Sequence, residues 1–142
     1  MAQRQTGKGY IKKIDFVFYH EKDLRDAVNE FKLGTKSQGK NGSGIGDPTA
    51  TQAMRNMMPL RYANIDGDML EWPESWVRVI DATYGWCNND QYIVAKDRYS
   101  GVDYRVSCAK LSISEKRYYL ILDDVRHRAS LCAVQYGLIK VC

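Results

Sequence analysis

Apolar residues recur along most of this chain at steps of three and four, the spacing of one face of an α-helix. Tyr10, Ile14, Val17, Leu24, Val28 and Phe31 follow these steps with Glu21 as the one polar member, a heptad spacing. The spacing predicts one amphipathic helix through Tyr10–Phe31, after a frayed polar start over residues 1–9. Such a helix either packs on its own domain or pairs with a second copy. The glycine-rich stretch that follows favours pairing, with Ile14, Val17, Leu24, Val28 and Phe31 as the oligomerisation residues. Phe16 and Phe18 widen the apolar face beyond a narrow two-stranded seam.

The pattern stops between Gly34 and Asp47, where five glycines stand among Lys, Ser and Asn. Such a stretch cannot bury a core and reads as a flexible linker. It resumes at Asp47-Pro48-Thr49, a helix start with Asp as N-cap and Pro at the first helical position. Ala50, Ala53, Met54 and Met57 form that helix's stripe, and Met58 completes a cluster suited to adaptable core packing. Pro59 ends or kinks it. Leu60, Tyr62, Ala63, Ile65, Met69 and Leu70 are expected to continue helically, with Asp66-Gly67-Asp68 as an interruption. A new helix restarts at Trp72-Pro73-Glu74 and lines one face with Trp76, Val79, Ile80 and Thr83.

From Asp90 to Leu138 the pattern is helix, turn, short helix, tight turn, long helix. Tyr92, Ile93, Ala95, Lys96 and Tyr99 mark the first segment, capped by Asn89 or Asp90, and Ser100-Gly101 breaks it. Tyr104, Ser107, Cys108 and Leu111 share a face of the second. Ser112 stands three residues before Glu115, a capping-box spacing, and Ser114 is the alternative N-cap of the long helix. Tyr118, Ile121, Leu122, Val125, Ala129, Cys132 and Tyr136 line one side of that helix. Lys116, Arg117, Asp123, Asp124, Arg126, Arg128 and Ser130 line the other. Gly137 is placed to cap its end.

This is the outline of a helix-turn-helix, whose second helix enters the DNA major groove by its N-terminal residues. A plain helical hairpin in a bundle gives the same periodicity. On the DNA reading, Ser114, Lys116, Arg117 and Tyr118 are the candidates for base readout, and Glu115 either accepts from cytosine or caps the helix. Arg98, Arg105, Lys110, Ser112 and Arg126, with Arg128 as an alternative to Arg126, are the candidates for the DNA backbone.

Net charge is +4, which permits nucleic-acid contact without demanding it. Residues 1–42 hold nine Lys/Arg against five Asp/Glu, residues 43–89 three against six, and residues 90–142 nine against six. Basic flanks around an acidic middle fit two nucleic-acid-facing regions, or an ordinary solvated surface. Cys87, Cys108, Cys132 and Cys142 form no close ligand pair with each other or with His20 and His127, so no metal site is expected. Cys108 and Cys132 read as small buried hydrophobes. Gly39-Lys40-Asn41 departs from the phosphate-binding loop pattern, and Asp66-Gly67-Asp68 lacks the rest of a calcium loop. No nucleophile–base pattern occurs, and Asp123 and Asp124 point about 100° apart on a helix. We therefore expect no enzyme, no catalytic residue and no cofactor. The polar start and the lack of a long apolar run predict a cytoplasmic protein without membrane spans.

The order Trp76-Val-Arg-Val-Ile, Asp97-Arg-Tyr-Ser-Gly, Ala109-Lys-Leu-Ser-Ile-Ser-Glu-Lys-Arg-Tyr-Tyr and Ala133-Val-Gln-Tyr-Gly-Leu-Ile resembles bacteriophage late-gene transcription regulators of the ArpU/RinA type. Their C-terminal part is similar to a sigma-region-4-like helix-turn-helix. The resemblance covers roughly residues 72–140. In it, Arg98-Tyr99 stands where a basic-aromatic pair precedes a turn, and Leu111-Ser-Ile-Ser where a turn precedes the recognition helix. Glu115, Asp123 and Asp124 make that helix less basic than in many DNA-binding relatives.

The expectation is an all-α protein in three parts: an N-terminal amphipathic helix over 1–33, a linker over 34–47, and a helical domain over 48–142 with its helix-turn-helix at about 90–137. The resemblance implies a sequence-specific regulator of late promoters in the bacterial host cytoplasm. Its partners would be double-stranded DNA and RNA polymerase, and it would act as a homodimer or higher homo-oligomer. A small-terminase-like packaging subunit and a helical protein-interaction module are the alternatives.

Overall fold

A computed structural model describes residues 2–33 and 59–139, with side chains from Gly9 onward in the first stretch. The expected linker, the helix opening at Asp47, the Met54–Met58 cluster and Cys142 lie outside the described residues. The described part is mostly helical and includes one small sheet. Its elements are α1 (Ala2–Tyr19), α2 (Glu21–Leu33), β1 (Tyr62–Ile65), β2 (Asp68–Glu71), α3 (Pro73–Trp86), α4 (Asn89–Tyr99), α5 (Tyr104–Leu111) and α6 (Glu115–Gln135). The chain forms two compact units, one of residues 1–19 with 78–142, the other of residues 20–77.

Two expectations change at once. The single N-terminal helix divides at His20. Phe16-Val-Phe-Tyr-His is a run of aromatic and β-branched residues, weak helix formers. Glu21 and Asp23 then supply the acidic first turn that a new helix start favours. The expected helix over residues 60–70 is instead a β-hairpin. Ile65 pairs with Asp68 across a two-residue turn. Asp66 and Gly67 both sit at positive φ, 51° and 87°, as a type I′ turn requires. The Asn64 side chain accepts from the Gly67 N–H at 3.0 Å. The Asp-Gly turn outweighs the helical spacing of the flanking apolar residues.

In the unit of residues 20–77, α2 packs on β1. Leu24, Val28, Ala63, Ile65, Leu70 and Trp76 are buried. Lys32 reaches Glu74 at 3.0 Å and His20 reaches Asp66 at 3.4 Å.

In the other unit, α6 is the central element, contacting α1, α4 and α5. Val94, Tyr118, Ile121 and Leu122 form a buried cluster, closed by Tyr104, Cys108, Leu111 and Ile113. Each large apolar side chain so enclosed contributes about 1.5–3 kcal/mol. The expected stripe of α6 is buried from Tyr118 through Cys132, while Tyr136 is exposed. Phe18 stacks against Tyr84 and Tyr99, with ring centroids 5.5 and 5.3 Å apart. Val79, Ile80 and Thr83 of α3 are fully buried, as their spacing predicts.

The helix ends explain where α6 begins and stops. Ser112 takes the left-handed conformation at φ 56° and closes α5, and the Ile113 N–H donates to the Cys108 carbonyl at 3.1 Å. Ser114, not Ser112, is the N-cap, its hydroxyl accepting from the Arg117 N–H at 3.1 Å. At the far end Gly137 is at φ 72°. Its N–H donates to Val134 and that of Leu138 to Ala133, both at 2.9 Å, a Schellman stop. The cap of α4 is Asn88, in a reciprocal capping box with Gln91, rather than Asn89 or Asp90.

Candidate nucleic-acid interface

The short helix α5, the turn Ser112–Ser114 and the start of α6 bring most of the candidate residues onto one end of the larger unit. Asp103 caps α5 by accepting from the Arg105 N–H at 2.8 Å. The Cys108 thiol lies 3.7 Å from the Ser114 carbonyl across the turn. Ile113 packs on the buried cluster, so the turn is tied down by an apolar residue between two exposed serines. Ser112, Ser114, Lys116 and Arg117 are all exposed, and neither Lys116 nor Arg117 makes an ion pair among the described residues. The first backbone N–H groups of α6 lack partners within the helix, which makes this end receptive to an anion.

Arg105 and Lys110 flank the turn on α5. Arg105 is exposed, 3.9 Å from Asp103, with its guanidinium over the Tyr104 ring. A hydrogen bond to Tyr104 and the charge of Asp103 raise its pKa. Lys110 is half committed: its Nζ lies 2.6 Å from Asp97, which also accepts from Ser107 at 2.8 Å. Its remaining donors are available to a phosphate.

Two site residues read from the sequence are engaged within the unit, Tyr118 buried and Arg126 half-buried. Tyr118 is 0 % exposed and belongs to the buried cluster, so it is not a base reader. Burial raises its phenol pKa, opposed by the neighbouring Arg98 guanidinium. Arg126, read as a DNA-backbone contact, is committed to an ion pair within the unit. Its Nε and a terminal nitrogen donate to the two oxygens of Asp15, both at 3.0 Å, and a terminal nitrogen lies 3.6 Å from Asp123. The Tyr99 hydroxyl donates to the same Asp15 at 2.7 Å. Burial, then the bond to Asp15, push the Tyr99 phenol far above its ordinary range. Burial pulls the Arg126 pKa down, but the hydrogen bonds and charges of Asp15 and Tyr99 together outweigh this and raise it.

The remaining candidates divide. Arg98 is half-buried, its Nε enclosed without a hydrogen-bond partner. Arg128 is half-buried with its guanidinium 5.5 Å from the Trp86 ring centre. Ile14, Val17, Leu24 and Val28 are buried within the single chain and Phe31 is half-buried. Packing on α6 and α4 in one unit and on β1 in the other already uses that stripe.

Two exposed residues were not foreseen, Tyr119 and Leu120, directly after the buried Tyr118. Tyr119 stacks against Tyr104 and Tyr118, with centroids 5.9 and 5.0 Å away. The signal was present in the phase of α6: a residue next to the buried stripe turns about 100° away from it. Among the described residues, no group of His, Cys, Asp or Glu could hold a metal ion. No described helix is long and apolar enough to cross a membrane.

No family model, curated protein or solved structure matches this chain.

Proposed function

We propose that this chain is a sequence-specific DNA-binding transcription regulator of the phage late-gene activator kind. On this reading α5, the turn and α6 act as a helix-turn-helix. The observation that carries it is the pair Lys116 and Arg117: exposed, without ion pairs among the described residues, on the first turn of a long helix whose seating is fixed by Ser114 and Ile113. Cations are unfavourable at a helix N-terminus, where the dipole is positive. Their placement there is accounted for by an anionic partner that both they and the helix end attract.

The interface assigned on this reading is narrower than the sequence suggests. Ser114, Lys116 and Arg117 read base edges, and Tyr119 takes the place of Tyr118 beside them. Arg105, Lys110 and Ser112 hold phosphates and set the register. Asp123 and Asp124 lie about 11 Å further along α6, so contact is confined to its first turns.

The test is fluorescence anisotropy with a random duplex and with intergenic DNA neighbouring the gene, over a range of salt. We expect one segment to bind more tightly than random DNA. With two cations on phosphates, Arg105 and Lys110, log affinity should fall with log salt at a slope of about −2. Absence of binding to either duplex at low salt would remove the DNA reading. Equal binding to both would leave a packaging or architectural role.

A further inference from the structure

We propose that the outward stripe of α6, together with the apolar cleft beside it, is a docking surface for a second copy of this chain, with the two α6 helices antiparallel about a dyad between Val125 and Arg126. The stripe opposite the buried one carries Leu120, Asp124, His127 and Leu131 at steps of four, three and four, all exposed. Leu120 is 49 % and Leu131 45 % exposed, although both lie on the outer face of a helix well packed on its other side. Leu131 forms one lip of a cleft of about 450 Å³ whose apolar lining includes Tyr10, Ile11, Val134 and Ile139. Ile11, in the same lining, is 43 % exposed.

The stripe is complementary to itself. In an antiparallel helix pair, residues at one height have numbers of constant sum. About the proposed dyad, Leu120 meets the partner's Leu131 at the mouth of the cleft, and Asp124 meets the partner's His127. By the same symmetry each contact occurs twice. Sliding one helix by a turn in one direction sets Asp123 against the partner's Asp124. Sliding it in the other sets His127 against the partner's Arg128 and Leu131 against the partner's Asp124. Charge and apolar matching thus select the same register, as like charges across an interface exclude wrong pairings.

Sedimentation equilibrium of the full chain without DNA tests the pairing separately from DNA binding. We expect a dimer in the micromolar to submillimolar range. L120R and L131R should each abolish it while the far-ultraviolet circular dichroism stays unchanged, since both residues are on the surface. D124K and H127E should each raise the dimer Kd about tenfold, because each pair occurs twice. The double variant D124K/H127E restores an attractive pair and should return within about threefold of the starting value. A wild-type chain that stays monomeric into the submillimolar range would overturn the proposal, as would self-association that L120R and L131R leave intact. A double variant no better than the single ones would overturn the register. None of these results bears on whether Lys116 and Arg117 read DNA.

Discussion

Helix α6 carries cations at two places that look alike in the sequence and differ in the structure. Lys116 and Arg117 stand on its first turn, exposed and without ion pairs among the described residues. Arg126, some three turns on, is held by both oxygens of Asp15, with Tyr99 on the same carboxylate. The side chains of Arg126 and Asp15 are 16 % and 24 % exposed. A largely desolvated, bidentate pair joins α1 to α6 and holds the unit together. A pair of exposed cations at the positive end of a helix opposes its dipole. The comparison separates residues kept for structure from residues available to a partner, and it does so where charge type alone cannot.

The sharpest way to break that distinction is Arg126→Ala. It leaves Asp15 half-buried beside Tyr99 without its main partner. Removing one member of a buried pair costs about 3–5 kcal/mol, and partial exposure reduces this to about 2–3 kcal/mol here. Urea denaturation should show that loss, and the folded fraction should bind DNA as the parent does. Asp15→Leu with Arg126→Met and Tyr99→Phe should recover most of it, because replacing all three leaves neither a stranded charge nor the Tyr99 hydroxyl without its acceptor. A drop in DNA affinity without a drop in stability would return Arg126 to the interface.

Lys116→Ala and Arg117→Ala give the mirror result. Each should cost about 1–3 kcal/mol of discrimination between the preferred site and random DNA. Stability should hold or rise by about 0.3 kcal/mol, since a cation leaves the helix N-terminus. Equal loss on specific and random DNA would make them phosphate contacts only.

How far the sequence could be read follows the range of the forces involved. The order α4, α5, turn, α6 was legible, because helical spacing and breakers such as Ser100-Gly101 act within a few residues. The burial of Tyr118 was also legible. Its spacing with Ile121, Leu122 and Val125 places it in the core, but its position near the start of α6 suggests a reader. Periodicity decides, since one side chain cannot face both the cluster and solvent. The role of Arg126 was not legible: Asp15 lies far away in sequence, and no local pattern announces the pair. The hairpin was signalled by Asp66-Gly67, but the apolar residues around it also fit a helix, and only the backbone conformation decides. The division of the N-terminal helix at His20 needed a count of weak helix formers that the heptad spacing concealed.

The Tyr99–Asp15–Arg126 group makes a smaller prediction. In the folded chain the Tyr99 phenol stays protonated well above its ordinary pKa of 10.0. Above that pH the unfolded chain releases the proton and the native one keeps it, so the native state binds more protons and stability falls as pH rises. Tyr99 should contribute a loss of about 1 kcal/mol between about pH 10 and about pH 11. Tyr99→Phe should flatten the profile over that interval by the same amount while lowering stability below it, through the lost bond to Asp15. Parallel profiles for the two chains, followed by urea unfolding, would remove Tyr99 from the group.

Ser112 gives the smallest effect and joins the two sides of the comparison. It holds a left-handed conformation at φ 56°, which disfavours any residue with a side chain. Glycine adopts it freely but loses more freedom on folding. Ser112→Gly should therefore gain only about 0.5 kcal/mol of stability. If the hydroxyl holds a phosphate beside Lys116 and Arg117, the same change should weaken binding to specific and random DNA alike, by about 0.5–1 kcal/mol. Opposite signs in unfolding and in DNA titration would place Ser112 with the free cations, as a residue whose strain is tolerated for a contact. A gain in stability with unchanged binding would make it a simple end to α5.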